Sequence, residues 1–289
     1  LQALGNLKEH AAEFAPKMAE LLQDRDKNVR RAALEALGNL KEHAASGAPK
    51  MAELLQDKDW DVRSAALQAL GNLKEHAAEF APKMAELLQD RHEYVRRTAL
   101  DALGYLKEHA AEFAPKMAEL LQDGDFRRAA LQALGNLKEH AASGAPKMAE
   151  LLQDRDEDVR VAALQALGTL KEHAAEFAPK MAELLQDRDW DVREAALRAL
   201  SNLKEHAASG APKMAERLQD GDFRLAALEA LGNLKEHAAE FAPKMAELLQ
   251  DRDKNVRCAA LQALGNLKEH AAEFAPKMAE LLQDRDWDV

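Results

Sequence analysis

Cysteine is nearly missing from this chain: Cys258 is the only one in 289 residues. A single thiol excludes an intramolecular disulfide and favours a reducing intracellular compartment. Only 13 Gly, 9 Pro and 4% aromatic residues are present, and the remainder is dominated by Ala, Leu, Glu, Lys, Gln and Arg. These are strong helix formers, so the expected class is all-α. No apolar run approaches the roughly 18 residues of a membrane span, so no membrane partner is expected. Basic charge is also short, with 40 Lys and Arg against 51 Asp and Glu and a net charge of −11. That balance argues against nucleic acid, whose phosphates need clustered cations. Glycine-rich phosphate loops are lacking, and Ser46, Ser64, Ser143, Ser201 and Ser209 have no strand-to-helix elbow or companion acid and base. No catalytic residue is assigned and no cofactor is expected. The chain opens at Leu1 inside a helix-like pattern, so any targeting peptide is expected outside it.

What is abundant is repetition. The stretch LKEHAAEFAPKMAELLQD at 7–24 returns at 73, 106, 170, 234 and 267. The KEH histidine falls at 10, 43, 76, 109, 140, 173, 206, 237 and 270, a period of 33 with two steps of 31. The shorter steps arise where DRDKNVRRAAL (24–34) becomes DGDFRRAAL (123–131) or DGDFRLAAL (220–228). About nine units thus form one expected continuous array over 1–289, and internal repetition at this period signals stacked supersecondary units.

Each unit reads as two helices. The first starts at Pro16, suited to a first helical position, turns Met18, Leu21 and Leu22 inward and ends at Asp24. The second follows Asp26, a good N-cap, and is expected to run through KNVRRAALEALGNLKEHA. Val29, Ala33, Ala36, Leu37 and Leu40 share one side while Leu34 lies on another flank, so this helix must be sandwiched between neighbours. No unit can bury its faces alone, which predicts a solenoid.

The pairing of APKMAELLQD with VRRAALEALGNL resembles the HEAT-repeat family: Pro and Leu-Leu-x-Asp in helix A, then Val-Arg, Ala-Ala-Leu and Ala-Leu-Gly in helix B. The match covers all nine units, whereas tetratricopeptide and ankyrin signatures are missing. The resemblance implies a right-handed α-solenoid of about nine two-helix repeats with the B helices lining a concave side. It also implies that Asp24 and Arg30, with equivalents such as Asp57 and Arg63, form a buried ladder. Repeats 5 and 8 place Phe126 and Phe223 where Val stands elsewhere, and an altered twist is expected there. Arg217 in a Leu position and Ser201 in the Gly position read as drift after duplication; an engineered consensus array is the alternative origin.

Some HEAT-like hydroxylases hold iron through His-Glu motifs, which makes the recurrent KEH a metal candidate. Packed helices lie about 8–10 Å apart, so equivalent histidines are too distant to share an ion that needs ligands at ~2 Å. Glu9 and His10 point about 100° apart if both are helical. The expectation is that each His caps the end of helix B by hydrogen-bonding terminal carbonyls.

The units differ at few places. In helix B these are 31, 35 and 39 with their equivalents, preceded by 27 and 28. Spacing by four puts 27, 31, 35 and 39 on one stripe opposite Val29, Leu37 and Leu40, so the stripe faces solvent. Trp60 and Trp190 replace Lys27, Tyr94 replaces Asn28, Tyr105 replaces Asn39, Arg97 and Arg128 stand at position 31, and Asp101 and Arg198 at position 35. Trp, Tyr and Arg are enriched in binding hot spots. The candidate partner-binding set is therefore Trp60, Tyr94, Arg97, Asp101, Tyr105, Arg128, Trp190 and Arg198, with Arg97 and Arg128 favouring acidic residues on the partner. Each Trp has a second reading as cover for a neighbouring helix end. The EF (13–14) and SG (46–47) pairs belong to the B-to-A turn, where Phe packs and Gly47 relaxes the chain. Gly38 permits close helix approach, a groove floor being the other reading.

The expected function is a non-enzymatic scaffold that holds a protein or peptide on its concave face. A structural spacer that stacks end to end is the alternative, and a phycobilin-lyase-like accessory enzyme is supported by fold analogy alone. The ends, Leu1 within a helix B and Val289 before the next, carry no dedicated polar cap, so head-to-tail self-association or a longer parent array is expected. The metal argument gives a direct test: elemental analysis of the purified protein should find no stoichiometric iron or zinc, and one tightly held ion per chain would overturn it.

Overall fold

The fold is given by a computed structural model in which residues 12–281 are described. Glu9, His10 and both chain ends, on which the end-to-end expectation rests, lie outside the described residues. Among the described residues there is no strand, and no helix is long and apolar enough to cross a membrane. The chain forms two compact units, Leu1–Gly144 and Ala145–Val289. In the first, short and long helices alternate: α1 (Ala15–Glu20), α2 (Lys27–Asn39), α3 (Ala48–Glu53), α4 (Trp60–Asn72), α5 (Ala81–Glu86), α6 (Glu93–Tyr105), α7 (Ala114–Glu119) and α8 (Arg127–Asn136). The second repeats the pattern with α9 (Ala145–Glu150), α10 (Glu157–Gly168), α11 (Ala178–Glu183), α12 (Trp190–Leu203), α13 (Ala211–Glu216), α14 (Arg224–Asn233), α15 (Ala242–Glu247), α16 (Lys254–Asn266) and α17 (Ala275–Glu280). It is an α-solenoid of helical repeats.

The long helices pack in sequence order, α2 on α4 on α6 on α8 in one unit and α10 on α12 on α14 on α16 in the other. Each long helix also sits on its own short helix, α1 on α2 and α3 on α4 for example. The two apolar flanks explain this double burial: Leu34, Leu37 and Leu40 are fully covered, and so are Met18 from the short helix and Leu22 from the 3₁₀ turn (Leu21–Gln23) that follows it. Close approach depends on the recurrent glycine. A Cβ built on Gly38 would stand 3.1 Å from the Ala69 Cα, and on Gly71 3.1 Å from the Ala102 Cα. Backbone meets backbone there, as a residue without a side chain permits.

The long helices end earlier than the periodicity predicts. α2 stops at Asn39, and KEHAASG (41–47) forms a separate 3₁₀ segment. The break is made by a lysine: Lys41, Lys74, Lys107, Lys138, Lys171, Lys204, Lys235 and Lys268 all have φ between 51° and 55°. Lys204, with ψ at −137°, lies where glycine is normally required, at a cost of order 1–3 kcal/mol. Hydrophobic periodicity cannot register such a break, because Leu40 and Ala44 on its two sides are both buried. Gly47, by contrast, has φ −85°, so the turn does not need its freedom. Its value is room, since a Cβ would meet the Met51 Cε at 3.4 Å; Phe80 and Phe113 occupy the same position packed and buried.

The arginine ladder is present. Arg30 reaches the next repeat through Nε to Asp57 Oδ2 at 2.9 Å and Nη2 to Asp57 Oδ1 at 3.2 Å, while its Nη1 donates to the carbonyls of Asp24 and Arg25. Arg63 repeats this with Asp90 at 2.8 and 2.9 Å, and in the second unit Arg160 pairs with Asp187 and Arg224 with Asp251. At the shortened repeats the rung changes character. The helices α8 and α14 have 10 residues where α2 has 13. There the Arg96 guanidinium stacks 4.7 Å from the buried Phe126 ring, and that of Arg193 lies 5.3 Å from Phe223. The loss of two residues removes the first turn of the helix and sets a ring where the rung would pass.

Burial opposes the charge of Asp90, but the hydrogen bonds from Arg63 and the His92 amide together with the Arg63 charge prevail and hold the carboxyl below its usual range. A folded-state pKa lowered in this way adds stability above the ordinary carboxylate range, and that stability disappears as pH falls through the folded value. Asp90→Ala should cost about 3 kcal/mol at neutral pH, because Arg63 stays buried without its partner. The gap to the parent protein should narrow in acid, as urea midpoints at two pH values would show. An equal gap at both values would remove the ion pair as its cause.

Candidate functional site

Tyr94 and Tyr105, the only two tyrosines of the chain, are both on α6. They are 48% and 54% exposed, and Trp60 at the start of α4 is 42% exposed. Each long helix presents its variable stripe on the side opposite its buried leucines, as the helical wheel predicts. The stripe is interrupted at Ser64, which is buried and hydrogen-bonds Thr98 at 3.0 Å. Serine is small enough to tuck under the neighbouring helix where Arg31 and Arg97 stay exposed.

Trp60 and Tyr94 are in direct contact, edge to face with ring centroids 5.6 Å apart. Between the two repeats stands a residue the sequence comparison passed over. His92, the tenth histidine and the one outside the KEH series, lies flat on Trp60 with centroids 4.2 Å apart and planes 9° apart. Its signal was legible as a departure, since His92 occupies the N-cap position held by Asp26 and Asp59. In the preceding step Lys27 makes ion pairs with Asp59 at 3.3 Å and Asp61 at 3.7 Å. The next step substitutes all three positions together, Trp60 for Lys27, His92 for Asp59 and Tyr94 for Asp61. A charged contact between repeats has been exchanged for an aromatic one, and the buried Nδ1 of His92 has no hydrogen-bond partner.

Between α4 and α6 lies a cleft of about 220 Å³ lined by Gln68, Asn72, Thr98, Asp101, Ala102 and Tyr105. Similar clefts lie between α2 and α4, lined by Gly38, Ala69 and Asn72, and between α14 and α16, lined by Gly232, Ala263 and Asn266. Both readings of the recurrent glycine therefore hold: it admits the neighbouring helix and it lines a groove. Burial raises the Asp101 carboxyl above its usual range, against the opposing charge of Arg97.

The histidines of KEH make no comparable site. Those from His43 to His270 are exposed, and it is their amides, such as His43 N to Leu40 O at 3.2 Å, that donate to terminal carbonyls. The cap expected of the side chain is supplied by the backbone. The Glu of the motif is held below its usual range at Glu42 by a hydrogen bond from its own amide, then by the charges of His43, Lys41 and Lys74 of the next repeat. Glu205 meets Lys235 in the same way at 3.5 Å. Among the described residues no group of three or more His, Cys, Asp and Glu side chains is placed to hold a metal ion.

The sequence profile of HEAT repeats matches residues 15–80, 81–144, 145–222 and 211–289. The chain belongs to the HEAT-repeat family. No curated protein matches it in sequence, whereas solved structures do in fold. An engineered protein in a crystal structure aligns with TM-score 0.70 at 20% identity, over 99% of this chain and 90% of its own. A chain from the structure in which Kap95p binding induces the switch loops of RanGDP to adopt the GTP-bound conformation aligns with TM-score 0.69 at 16% identity. That alignment takes in 94% of this chain and 43% of the other.

The HEAT repeats distribute the candidate residues unevenly. Arg97, Asp101 and Tyr105 follow one another by single turns along α6, beside the Trp60–Tyr94 contact, and Arg128 is exposed on α8. Trp190 and Arg198 belong to the second unit. Trp190 rests on Phe223 with centroids 5.6 Å apart while staying 45% exposed. Arg198 is engaged along its own helix with Glu194 at 2.6 Å. Ser201, read as drift, accepts a hydrogen bond from Asn233 at 2.8 Å. The aromatic exchange carries its own test: a double-mutant cycle of Trp60→Ala and His92→Ala should give a coupling energy of about 1 kcal/mol. Additive single effects would mean that the two rings share space without interacting.

Proposed function

We propose that this HEAT-repeat scaffold binds a protein or peptide partner along the face of its long helices, around α4 and α6, without catalysis. The observation that carries the reading is the coincidence of non-repeating residues with recognition-type side chains: where the units differ, Trp60, Tyr94, Arg97 and Tyr105 stand exposed on neighbouring helices. Such rigid aromatic side chains supply contact area at low entropic cost, and a groove between helices seats a helix or an extended segment. Arg97 and Arg128 favour acidic residues on the partner. The reading takes 1–289 as one continuous array with that face concave, which the unbroken phase of the repeats across 144 and 145 supports.

Peptides selected from a displayed random library on the full chain provide the test. Replacing Tyr94, Arg97 and Tyr105 together by Ala should weaken them by more than about 2 kcal/mol. The melting temperature should move little, since exposed substitutions cost within about 0.5 kcal/mol each. Leu103→Ala is the control: Leu103 is fully buried and its truncation should cost about 2–5 kcal/mol of stability. Selected peptides that bind the triple variant as well as the parent would point to a spacer whose ends do the work.

A further inference from the structure

Positions 31 and 35 lie one helical turn apart, and where they carry opposite charges they pair. Arg31 meets Glu35 at 3.7 Å, and Arg198 meets Glu194 at 2.6 Å. Arg97 and Asp101 occupy the same two positions of α6, yet no ion pair joins them and no hydrogen bond reaches the Asp101 carboxylate. Aspartate is one methylene shorter than glutamate, so its carboxylate stays near the helix surface, half-buried in the cleft between α4 and α6. The Thr98 hydroxyl, in the same cleft, does not serve it. Thr98 is committed to the Tyr94 carbonyl at 2.8 Å and to Ser64 at 3.0 Å.

The same cleft is the one of the three whose position-39 side chain on the later helix is aromatic. Tyr105 lies where Asn72 and Asn266 line the corresponding grooves. Its Cδ2 is 3.3 Å from the point a Gly71 Cβ would occupy, so the ring is seated against the backbone of α4 and needs little further ordering to bind. A carboxylate that accepts no hydrogen bond and feels Arg97 only through its charge, beside an aromatic ring already lying on the neighbouring helix, attracts a cation with an apolar stem, through charge and through the ring face together.

We propose that the cleft between α4 and α6 takes a basic side chain of the partner, an arginine or lysine whose head meets Asp101 while its stem lies along Tyr105. This rests on the protein-binding reading above and supplies the chemistry of one contact. Burial holds the Asp101 carboxyl above its usual range, so the ionised form is short of solvation and has most to gain from a cation. Arg97, one turn away, faces an acidic residue of the same partner. A turn of helix sets those side chains about 5–6 Å apart, close to the spacing of alternate residues on an extended strand. An acidic and a basic residue two places apart on an extended segment, or one turn apart on a helix, match that spacing.

The ¹⁵N-labelled full chain titrated with acetyl-Gly-Arg-Gly-amide tests the cleft directly. The amides of Thr98, Asp101, Ala102 and Tyr105 should shift and saturate, and the citrulline peptide, which keeps the shape and lacks the charge, should not saturate. Asp101→Asn, with unchanged circular dichroism, should weaken the arginine peptide about tenfold. Equal affinity for citrulline, or an Asp101→Asn variant that binds as the parent does, would overturn the proposal. The two readings fail separately. If library peptides need Tyr94, Arg97 and Tyr105 while the arginine peptide ignores Asp101→Asn, the cleft assignment alone falls. If the arginine peptide needs Asp101 while library peptides ignore the triple variant, the cation subsite stands and the wider face is wrong.

Discussion

Arg30 and Arg63 can be buried between long helices only because each guanidinium finds acceptors in two repeats at once. Arg63 is 6% exposed, and its donors are divided between the carbonyls of its own linker and the carboxylate of the next. Deprived of either set, a charged group so placed would be strongly destabilising. The rung therefore fixes the linker conformation, the start of the long helix and the register of its neighbour together. Close glycine-to-alanine contact sets the distance between helices, and the rung sets which turn faces which. The shortened repeats show how strictly this holds. When the linker loses two residues the arginine is kept, and a buried phenylalanine ring takes the place of the carboxylate.

Much of this was legible in the residues and some was not. Repetition revealed which positions serve the stack, so the alternation of helices, the two apolar flanks and the outward variable stripe followed from period and spacing, while the arginine ladder followed from the resemblance to HEAT repeats. The early end of the long helix did not, because Leu40 and Ala44 continue the buried pattern across a backbone break that hydrophobicity does not sense. At the site, Tyr94, Arg97 and Tyr105 were found as departures from the consensus. His92 departs too, yet it occupies the linker rather than the helix stripe, and its importance appears only when the stacking of successive repeats brings it onto Trp60. Asp101 and Tyr105 share α6 by spacing alone, but the wall of Gln68 and Asn72 that makes a cleft beside them comes from α4, and that wall is a property of the step between helices.

The charges of the KEH motif are arranged across repeats as well as within them, and this separates a recurrent motif from a recurrent site. Glu42, Glu205 and Glu236 answer to the lysine of the following unit, and the KEH histidines from His43 to His270 stay exposed. Chemistry repeated in every unit belongs to the stack, while recognition needs the places where the repetition fails. Trp60, His92 and Tyr94 show that such failures come in matched groups. A contact between neighbours tolerates an exchange of character only if both sides change together.

The lysine that opens each KEH segment from Lys41 to Lys268 holds a backbone conformation suited to glycine, and glycine would relieve it. At Lys235 the ammonium, however, meets Glu205 of the preceding unit. Backbone strain is indifferent to ionic strength, whereas an exposed ion pair is screened within about 10 Å at 0.1 M salt. The same residue thus opposes the fold through its backbone and supports it through its side chain, and salt weakens only the support. At the step where Lys235 meets Glu205, salt therefore leaves the strain of the lysine whole and removes part of what offsets it.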